Sequence, residues 1–212
     1  IYIIGAPRSG STILYQMMTN LLNISYINNF IDLGRENIFI AFLLNEMIYQ
    51  NKPHHSFLSK YGRTQKDGLN APNEGGEFWY RWVPRNLHYI SEQMAEKLPY
   101  QQIQKNIYAI INKFNRPLLF KNLNLGMRIA LLEKMNTHNK YIFIKRNPFY
   151  TAQSLLIARR KNNNDIETWW SVKPPGYKYI QSFNPIKQVV RQVYNIEKQI
   201  TKDLGEYVNP QD

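Results

Sequence analysis

Cysteine is absent from this chain of 212 residues, which excludes disulfide bridges and cysteine-based metal sites. No apolar run approaches the ~18 residues of a membrane-spanning helix, so we expect no integral membrane segment. Acidic residues are also few, since 15 Asp and Glu stand against 27 Lys and Arg and the formal net charge is +12. This excess predicts anionic partners: nucleotides, sulfated or acidic substrates, nucleic acids or membrane surfaces.

Nucleic acid is the weakest of these candidates, because the sequence has no basic repeat and no aromatic signature of RNA binding. The length predicts a single domain over residues 1–212 with a large core. The chain starts at Ile1, inside a predicted strand and without a methionine. We therefore expect native residues to be missing at the two termini. The compartment is left open, with the cytoplasm favoured if the protein is bacterial.

Predicted strands alternate with predicted helices along the chain. The strands are residues 1–5, 24–27, 117–121 and 141–145. The helices are residues 11–22, 36–50, 90–115, 126–135, 152–161 and 185–204, and a long loop covers residues 51–76. The fourth strand is nearly all apolar, which predicts a strand buried in a parallel sheet. The alternation predicts an α/β fold, a P-loop NTPase-like parallel β-sheet flanked by helices.

The most informative stretch predicts a strand, a turn and a helix within residues 1–18. Backbone N–H groups of such a turn and the positive end of the helix converge on an anion. Gly10 allows the backbone to approach that anion closely, while Arg8 adds positive charge. We therefore predict a phosphate-binding loop. Its residues are Arg8, Ser9, Gly10, Ser11 and Thr12.

The spacing from Gly5 to Gly10 matches the first part of the Walker pattern G-x-x-x-x-G-K-[ST]. Ser11 stands where the Walker lysine is expected, and Arg8 lies inside the loop instead. A nucleotide kinase without that lysine loses its main contact to the transferred phosphate. The pattern thus favours an anion site over an ATP-dependent kinase, with an ordinary strand-to-helix turn as the alternative.

A second cationic motif, Arg146-Asn-Pro148, follows the fourth strand. The carboxyl end of a buried strand is where α/β sheets bind ligands, and Ser154 lies about two helical turns farther on. The guanidinium and the hydroxyl together could hold a second phosphate; for each residue alone, a surface role is the simpler interpretation. Residues 145–147 offer no carboxylate for Mg²⁺, so we expect no metal site of the kinase type.

The two motifs resemble those of sulfotransferases that use 3′-phosphoadenosine 5′-phosphosulfate. Gly5–Thr12 resembles their 5′-phosphosulfate loop, and Arg146-Asn-Pro148 with Ser154 is similar to their 3′-phosphate motif. The motifs occur in the family's order with about 135 residues between them. The resemblance covers most of residues 1–171 and implies that donor, with adenosine 3′,5′-bisphosphate as the product.

Two further segments look like a bacterial-type branch of this family. They are Pro72-Asn-Glu-Gly-Gly-Glu-Phe-Trp79 and Trp169-Trp-Ser-Val-Lys-Pro-Pro175.

The resemblance has departures. Cytosolic members carry lysine in the first loop, whereas this chain has Arg8, as tyrosylprotein sulfotransferases do. Lys121 matches the family's motif after strand three, but the catalytic histidine that follows it there is missing. Ile13 stands where those members have an adenine-stacking tryptophan, and no clear match to their C-terminal phosphate-binding loop precedes Asp212.

Another residue must then accept the proton of the attacking hydroxyl. Glu74 is the first candidate, because it lies in a Gly/Pro/Asn-rich loop before the aromatic block 78–82, and such loops commonly carry catalytic groups. Glu36 is the second, by analogy with branches that use a glutamate as base, and Glu77 is the third. For each glutamate, a solvated or capping role is the alternative.

Four histidines are present, and His54 and His55 are adjacent in the long loop. The pair could supply a base or half of a metal site. With only His88 and His138 elsewhere and no cysteine, we predict no metal site. We expect His54 and His55 to be solvated loop residues.

The basic run Arg159-Arg-Lys161 is predicted to be a solvated helix end, where positive charge is favourable; contact with the 3′-phosphate is the alternative. The aromatic residues at 78–82 and 169–170 are predicted to pack mostly in the core. One or two of them could line an acceptor pocket or stack on adenine.

Together, the residues and the resemblance predict a sulfotransferase that acts on an acceptor hydroxyl by in-line displacement. Glu74 is the predicted base, while Lys121 and Arg8 are predicted to neutralise the leaving oxygen. The predicted donor-binding residues are Arg8, Ser9, Gly10, Ser11, Thr12, Arg146 and Ser154. An atypical nucleotide kinase and a non-catalytic nucleotide- or anion-binding protein remain alternatives. The identity of the acceptor and the oligomeric state stay open.

Overall fold

A computed structural model describes residues 1–59, 64 and 68–208. Four short strands form its sheet: β1 Tyr2–Gly5, β2 Ser25–Tyr26, β3 Leu118–Lys121 and β4 Tyr141–Ile144. The strand order is β2-β3-β1-β4, and each neighbouring pair is parallel. This confirms the predicted α/β fold, with the first strand in the interior of the sheet.

Helices connect the strands and cover the two faces of the sheet. They are α1 Ser11–Leu21, α2 Asn29–Leu33, α3 Ile38–Tyr49, α4 Gly76–Tyr80, α5 Glu92–Glu96, α6 Tyr100–Phe114, α7 Ile129–Lys134, α8 Pro148–Asn163, α9 Tyr177–Ile180 and α10 Pro185–Tyr207. A 3₁₀ helix, Leu123–Met127, precedes α7. In the described part of the chain, no helix is both long enough and apolar enough to cross a membrane.

The single helix predicted over residues 90–115 is wrong, because the structure has two helices there, α5 and α6. Pro99 stands directly before α6 as its N-cap. Proline cannot donate a backbone hydrogen bond and disfavours helical backbone in the preceding residue, so a continuous helix is interrupted at this point. The short helices α2, α4 and α9 were not predicted, since four or five residues carry too little periodicity to be detected.

The fourth strand is parallel, as predicted, but the prediction that it is buried is wrong. β4 pairs with β1 on one side and ends the strand order, and its residues are half-buried. Its apolar side chains still serve a purpose, because Tyr141 stacks on Tyr2 of β1 at 5.6 Å between ring centroids. An apolar run indicates that a strand packs against other residues. It does not indicate the position of the strand in the sheet, which depends on pairing between distant parts of the chain.

The core divides into a cluster on each face of the sheet. Ile3 of β1 packs with Tyr15 of α1 on one face, and Tyr2 and Ile4 point to the other face, where α10 lies. This alternation follows from the two-residue period of a strand. The predicted core role of the aromatic block is confirmed at Trp79, which is buried against Phe120 at 5.1 Å between ring centroids.

Candidate active site

A cleft of about 1330 Å³ opens at the carboxyl ends of the strands. Loops that follow parallel strands converge at this edge, which is why α/β sheets bind ligands there. Of the predicted donor-binding residues and candidate catalytic residues, those that line the cleft are Arg8, Gly10, Ser11, Thr12, Glu74, Glu77, Lys121 and Arg146. Ser9, Glu36 and Ser154 are not part of this lining.

The turn between β1 and α1 has the backbone shape of an anion cradle. A Cβ at Gly5 would lie 2.5 Å from the carbonyl oxygen of Ile144, so no larger residue fits there. Gly10 has a φ of +103° and caps α1 without a side-chain hydrogen bond, and a Cβ at this position would meet no atom within 4 Å. The start of α1 therefore has open space beside it, and no capping side chain accepts from its first N–H groups.

Ser9 adds a second feature that fits an anion. The residue is 7% exposed, and its Oγ is buried without a hydrogen-bond partner in the part of the chain that the structure describes. A buried hydroxyl without a partner is unfavourable unless a ligand or water satisfies it. The uncapped helix start and the Ser9 hydroxyl together fit a phosphate or phosphosulfate group.

The two cationic motifs meet in the folded chain. Nε of Arg8 donates to Oγ of Ser154 across 3.0 Å. Nη1 of Arg146 donates to the backbone oxygen of Arg8 across 3.3 Å. The β1–α1 turn and the β4–α8 junction are thus in contact, and Arg146 is exposed at the cleft. Such a cluster favours a ligand with more than one negative charge.

Lys121 ends β3 inside the cleft, and its side chain is only 2% exposed. Its ammonium forms an ion pair with Oε1 of Glu74 and donates to Oγ1 of Thr12 across 3.2 Å. A buried ammonium needs such partners, because burying an unpaired charge is costly. Lys121 therefore links the start of α1 to the loop that carries Glu74.

The third candidate base, Glu77, forms ion pairs with two arginines. Nη2 of Arg85 lies 2.6 and 2.7 Å from its two carboxylate oxygens, and Nη1 of Arg35 lies 3.3 Å from Oε2. The hydrogen bonds from Arg85 hold the pKa of Glu77 below its usual value. This makes Glu77 a weaker proton acceptor than an unpaired carboxylate.

Glu36 is exposed and lies outside the main cleft. It lines a neighbouring depression with Arg35 and Arg81, and its backbone oxygen accepts from Nη1 of Arg81 across 2.8 Å. Glu77, Tyr80 and Arg85 line both this depression and the cleft. Glu36 is therefore not part of the cleft lining, whereas Glu74 lines the cleft and contacts Lys121.

Asp32 is a cleft residue that the sequence analysis missed. It lies in α2, lines the cleft, and accepts a 3.3 Å hydrogen bond from Nδ2 of Asn73. Its Oδ1 is buried without a hydrogen-bond partner among the described residues. Burial first, and the nearby negative charge of Glu77 second, raise the pKa of Asp32 to about 6. In the sequence, Asp32 is recognisable only as an aspartate shortly after the second strand. This is a weak indication of a site residue, because helix α2, which carries Asp32, was not predicted.

His88 also lines the cleft without having been predicted to do so. Its Nδ1 accepts from the backbone N–H of Lys173 across 3.1 Å, which fixes the ring against the segment before α9. Burial, and then the charges of Lys173 and Arg128, lower the pKa of His88 to about 4. The imidazole is therefore neutral at pH 7.

The expectation that both loop histidines are solvated is wrong for His54. Its Nε2 lies 3.0 Å from Oγ1 of Thr19 and 3.2 Å from the backbone oxygen of Gln16, and burial lowers its pKa. His54 thus anchors the long loop on α1, whereas His55 is exposed. Within residues 1–59, 64 and 68–208, no three metal-ligating side chains gather in one place.

The prediction of a solvated basic run is wrong at Arg159, which is fully buried. Its guanidinium donates to Oε1 of Gln188 (2.7 Å) and Oε1 of Gln192 (3.0 Å), and it stacks over the ring of Trp169 at 5.0 Å. Arg160 is exposed, and Lys161 is exposed at the wall of the cleft. Helix period explains the difference, since adjacent residues of α8 point in different directions.

The comparisons with known proteins agree with this site. The model of the sulfotransferase family matches residues 1–202. No curated protein and no solved structure gives a significant match. The family match spans the β1–α1 turn, the Glu74 loop, Lys121 and the Arg146 motif. The chain therefore belongs to the sulfotransferase family and is a transferase of that kind.

Proposed function

We propose that this protein transfers a sulfuryl group from 3′-phosphoadenosine 5′-phosphosulfate to a hydroxyl group of an acceptor. One observation carries the proposal: Arg8 and Arg146, from two distant motifs, contact each other at one cleft. This arrangement suits a nucleotide with two separate anionic groups better than one with a single phosphate chain.

The phosphate-binding turn would hold the 5′-phosphosulfate. The N–H groups at the start of α1 and the unpartnered Oγ of Ser9 would donate to its oxygens, with Ser11 and Thr12 alongside. Arg146, with the hydroxyl of Ser154, would hold the 3′-phosphate. Ser154 already accepts a hydrogen bond from Arg8, and its own O–H remains available to donate.

Glu74 is the base that the geometry supports best. Its Oε1 is engaged by Lys121, while its Oε2 has no partner among the residues that the structure describes. Oε2 could therefore accept the proton of an acceptor hydroxyl as its oxygen attacks sulfur. Glu77 is held by two arginines and Glu36 lies outside the cleft, so neither is an equivalent choice.

Lys121 and Arg8 would act on the leaving side of the reaction. When bound, the donor supplies the sulfuryl group, and its sulfur–oxygen bond to the phosphate breaks as the new bond forms. The ammonium of Lys121 and the guanidinium of Arg8 would offset the negative charge that develops on the bridging oxygen. Lys121 has three N–H donors, which it would share among Thr12, Glu74 and that oxygen.

Thermal-shift binding of adenosine 3′,5′-bisphosphate, ADP and ATP tests the donor class. We expect the bisphosphate to stabilise the protein at lower concentration than the other two. Stronger stabilisation by ATP with Mg²⁺ would favour the nucleotide-kinase alternative. Binding of the bisphosphate without sulfation of any hydroxyl would favour a non-catalytic nucleotide-binding protein.

A further inference from the structure

The outward side of helix α10 exposes large apolar side chains to solvent. Ile186, Val190 and Tyr194 are each more than half exposed. They are spaced four residues apart, so they form one stripe along the helix surface. The stripe is extended by Phe183 and by Tyr179 of α9, whose rings contact each other at 5.0 Å between centroids. Single exposed apolar residues are ordinary, but an aligned group of them indicates a binding surface.

Cations are interleaved with this stripe. Lys187, Arg191 and Lys198 are all exposed on α10. Nζ of Lys187 lies 4.0 Å from the centre of the Phe183 ring, and Nζ of Lys198 lies 5.8 Å from the centre of the Tyr194 ring. The apolar and cationic side chains therefore share one surface. This surface, called here the α10 face, consists of Tyr179, Phe183, Ile186, Lys187, Val190, Arg191, Tyr194 and Lys198.

The positive charge of the α10 face is not offset by nearby acids. The sequence contains no Asp or Glu between Glu167 and Glu197. Glu197 itself is half-buried, and its charge interacts with Lys145, which lies outside the face. Among the described residues, the three cations of the face form no ion pair. Farther along α10, Lys202 pairs with Glu206 across 3.8 Å, so the unpaired positive surface ends at Lys198.

The combination of charges and apolar groups discriminates between partners. A second copy of this chain is disfavoured, because pairing of the same face would bring positive charges together. A nucleic acid would bind the cations through its phosphates but would give the aliphatic side chains no apolar partner. An anionic lipid surface suits both kinds of side chain, since headgroups attract the cations and the acyl boundary accepts the apolar stripe. Tyrosine is also favoured at that boundary, because its ring is apolar and its hydroxyl is polar.

We propose that the α10 face is a binding surface for membranes that contain anionic lipids. The helix lies along the membrane surface, with Ile186, Val190 and Tyr194 toward the acyl chains and the cations among the headgroups. Between Ile186 and Lys198 the contact is about 18 Å long, at the rise of an α-helix. The inference goes beyond the proposed sulfuryl transfer and does not depend on the donor or the acceptor.

The test measures cosedimentation of the full chain with lipid vesicles. One set of vesicles contains phosphatidylcholine alone, and the other contains about 30% phosphatidylserine in phosphatidylcholine. Lys187→Ala with Arg191→Ala removes two cations of the α10 face. Ile186→Ser with Val190→Ser removes part of its apolar stripe. All four side chains are exposed, so we expect the fold to be retained, and melting temperatures verify this.

Each double variant has a matched control on another helix. Lys105→Ala with Lys113→Ala removes two exposed cations from α6. Ile40→Ser with Leu44→Ser removes two exposed apolar side chains from α3, also four residues apart. These controls distinguish binding by the α10 face from attraction by the net charge of +12 and from binding by another apolar surface.

The wild type is expected to bind the phosphatidylserine vesicles far more strongly than phosphatidylcholine alone, and to lose this binding as salt is added. Lys187→Ala with Arg191→Ala should weaken binding at least about tenfold, because each cation near an anionic surface strengthens binding about fivefold. Ile186→Ser with Val190→Ser should weaken it at least about threefold, because less apolar area enters the membrane. The two controls should bind within about twofold of the wild type.

The proposal is overturned if the wild type does not bind anionic vesicles, or if either variant of the α10 face binds as its control does. Two other occupants give distinct results, and each would also overturn it. A nucleic-acid surface would bind a DNA duplex through Lys187 and Arg191, with vesicle binding independent of Ile186 and Val190. A surface for a second copy would give a dimer in light scattering that Ile186→Ser with Val190→Ser dissociates.

Discussion

Nε of Arg8 donates a hydrogen bond to Oγ of Ser154 across 3.0 Å, although the two residues are 146 positions apart in the chain. Arg8 belongs to the turn after β1, and Ser154 lies two turns into the helix after β4. Because β1 and β4 pair in parallel with Gly5 opposite Ile144, the residues that follow the two strands emerge side by side. The sheet register thereby places the two cationic motifs side by side.

The first prediction concerns Arg146→Ala. The wild type is expected to bind adenosine 3′,5′-bisphosphate more tightly than AMP. In the variant, the ratio of the AMP dissociation constant to that of the bisphosphate is expected to fall about tenfold, because one charge-assisted contact disappears. Calorimetric dissociation constants measure it. Lys145→Ala is the control, since Lys145 is the adjacent cation but does not line the cleft. Equal wild-type affinity for the two nucleotides would contradict the donor assignment.

The second prediction concerns metal ions. The described cleft residues form no cluster of three metal-ligating side chains, and the Arg146 motif has no carboxylate. Sulfuryl transfer is therefore expected to continue at an unchanged rate in EDTA. Turnover that stops in EDTA and returns with Mg²⁺ would move the protein to the nucleotide-kinase alternative.

The third prediction concerns the base. Glu74→Gln is expected to lower kcat about 10²- to 10⁴-fold, since this is the range that a positioned general base contributes, while bisphosphate affinity changes little. Glu36→Gln is the control, because Glu36 is exposed outside the cleft. A silent Glu74→Gln together with an inactive Glu36→Gln would transfer the role to Glu36.

The fourth prediction concerns the pH dependence of stability. The pKa of Asp32 is about 6 in the folded protein against an ordinary value of 3.8, so the folded state binds this proton more tightly. Ionisation of Asp32 therefore destabilises the fold as pH rises from about 4 to 6. Asp32→Asn should raise the free energy of unfolding at pH 7 by at most about 3 kcal/mol, and by less after solvent screening.

Melting temperatures of wild type and Asp32→Asn across pH 4–8 measure this effect. The difference between the two proteins should be small near pH 4 and should grow until about pH 7. The titration also depends on the charges that face Asp32, which are Glu77, Arg35 and Arg85. Glu77→Gln should therefore shift the midpoint to lower pH. A difference that does not change with pH would contradict the assignment.

The candidate site shows how far sequence alone can reach. The turn from Gly5 to Gly10 and the Arg146 motif are each a short, continuous stretch of sequence. They could be found without a structure because their chemistry depends on local backbone and residue type. Asp32 and His88 could not, because each reaches the cleft through a segment whose path depends on distant contacts. Arg159 was misjudged for the same reason, since its burial is created by α10.

The sequence by itself determined the alternation of strands and helices, the turn between β1 and α1 and the family to which the chain belongs. These features rest on local propensity and on short motifs, which act over a few residues. Tertiary structure alone decided that β4 ends the sheet, that Glu74 meets Lys121 and that Gln192 donates to the backbone of Trp170. Those relationships are set by packing and hydrogen bonds between residues far apart in the chain, whose partners no local pattern encodes.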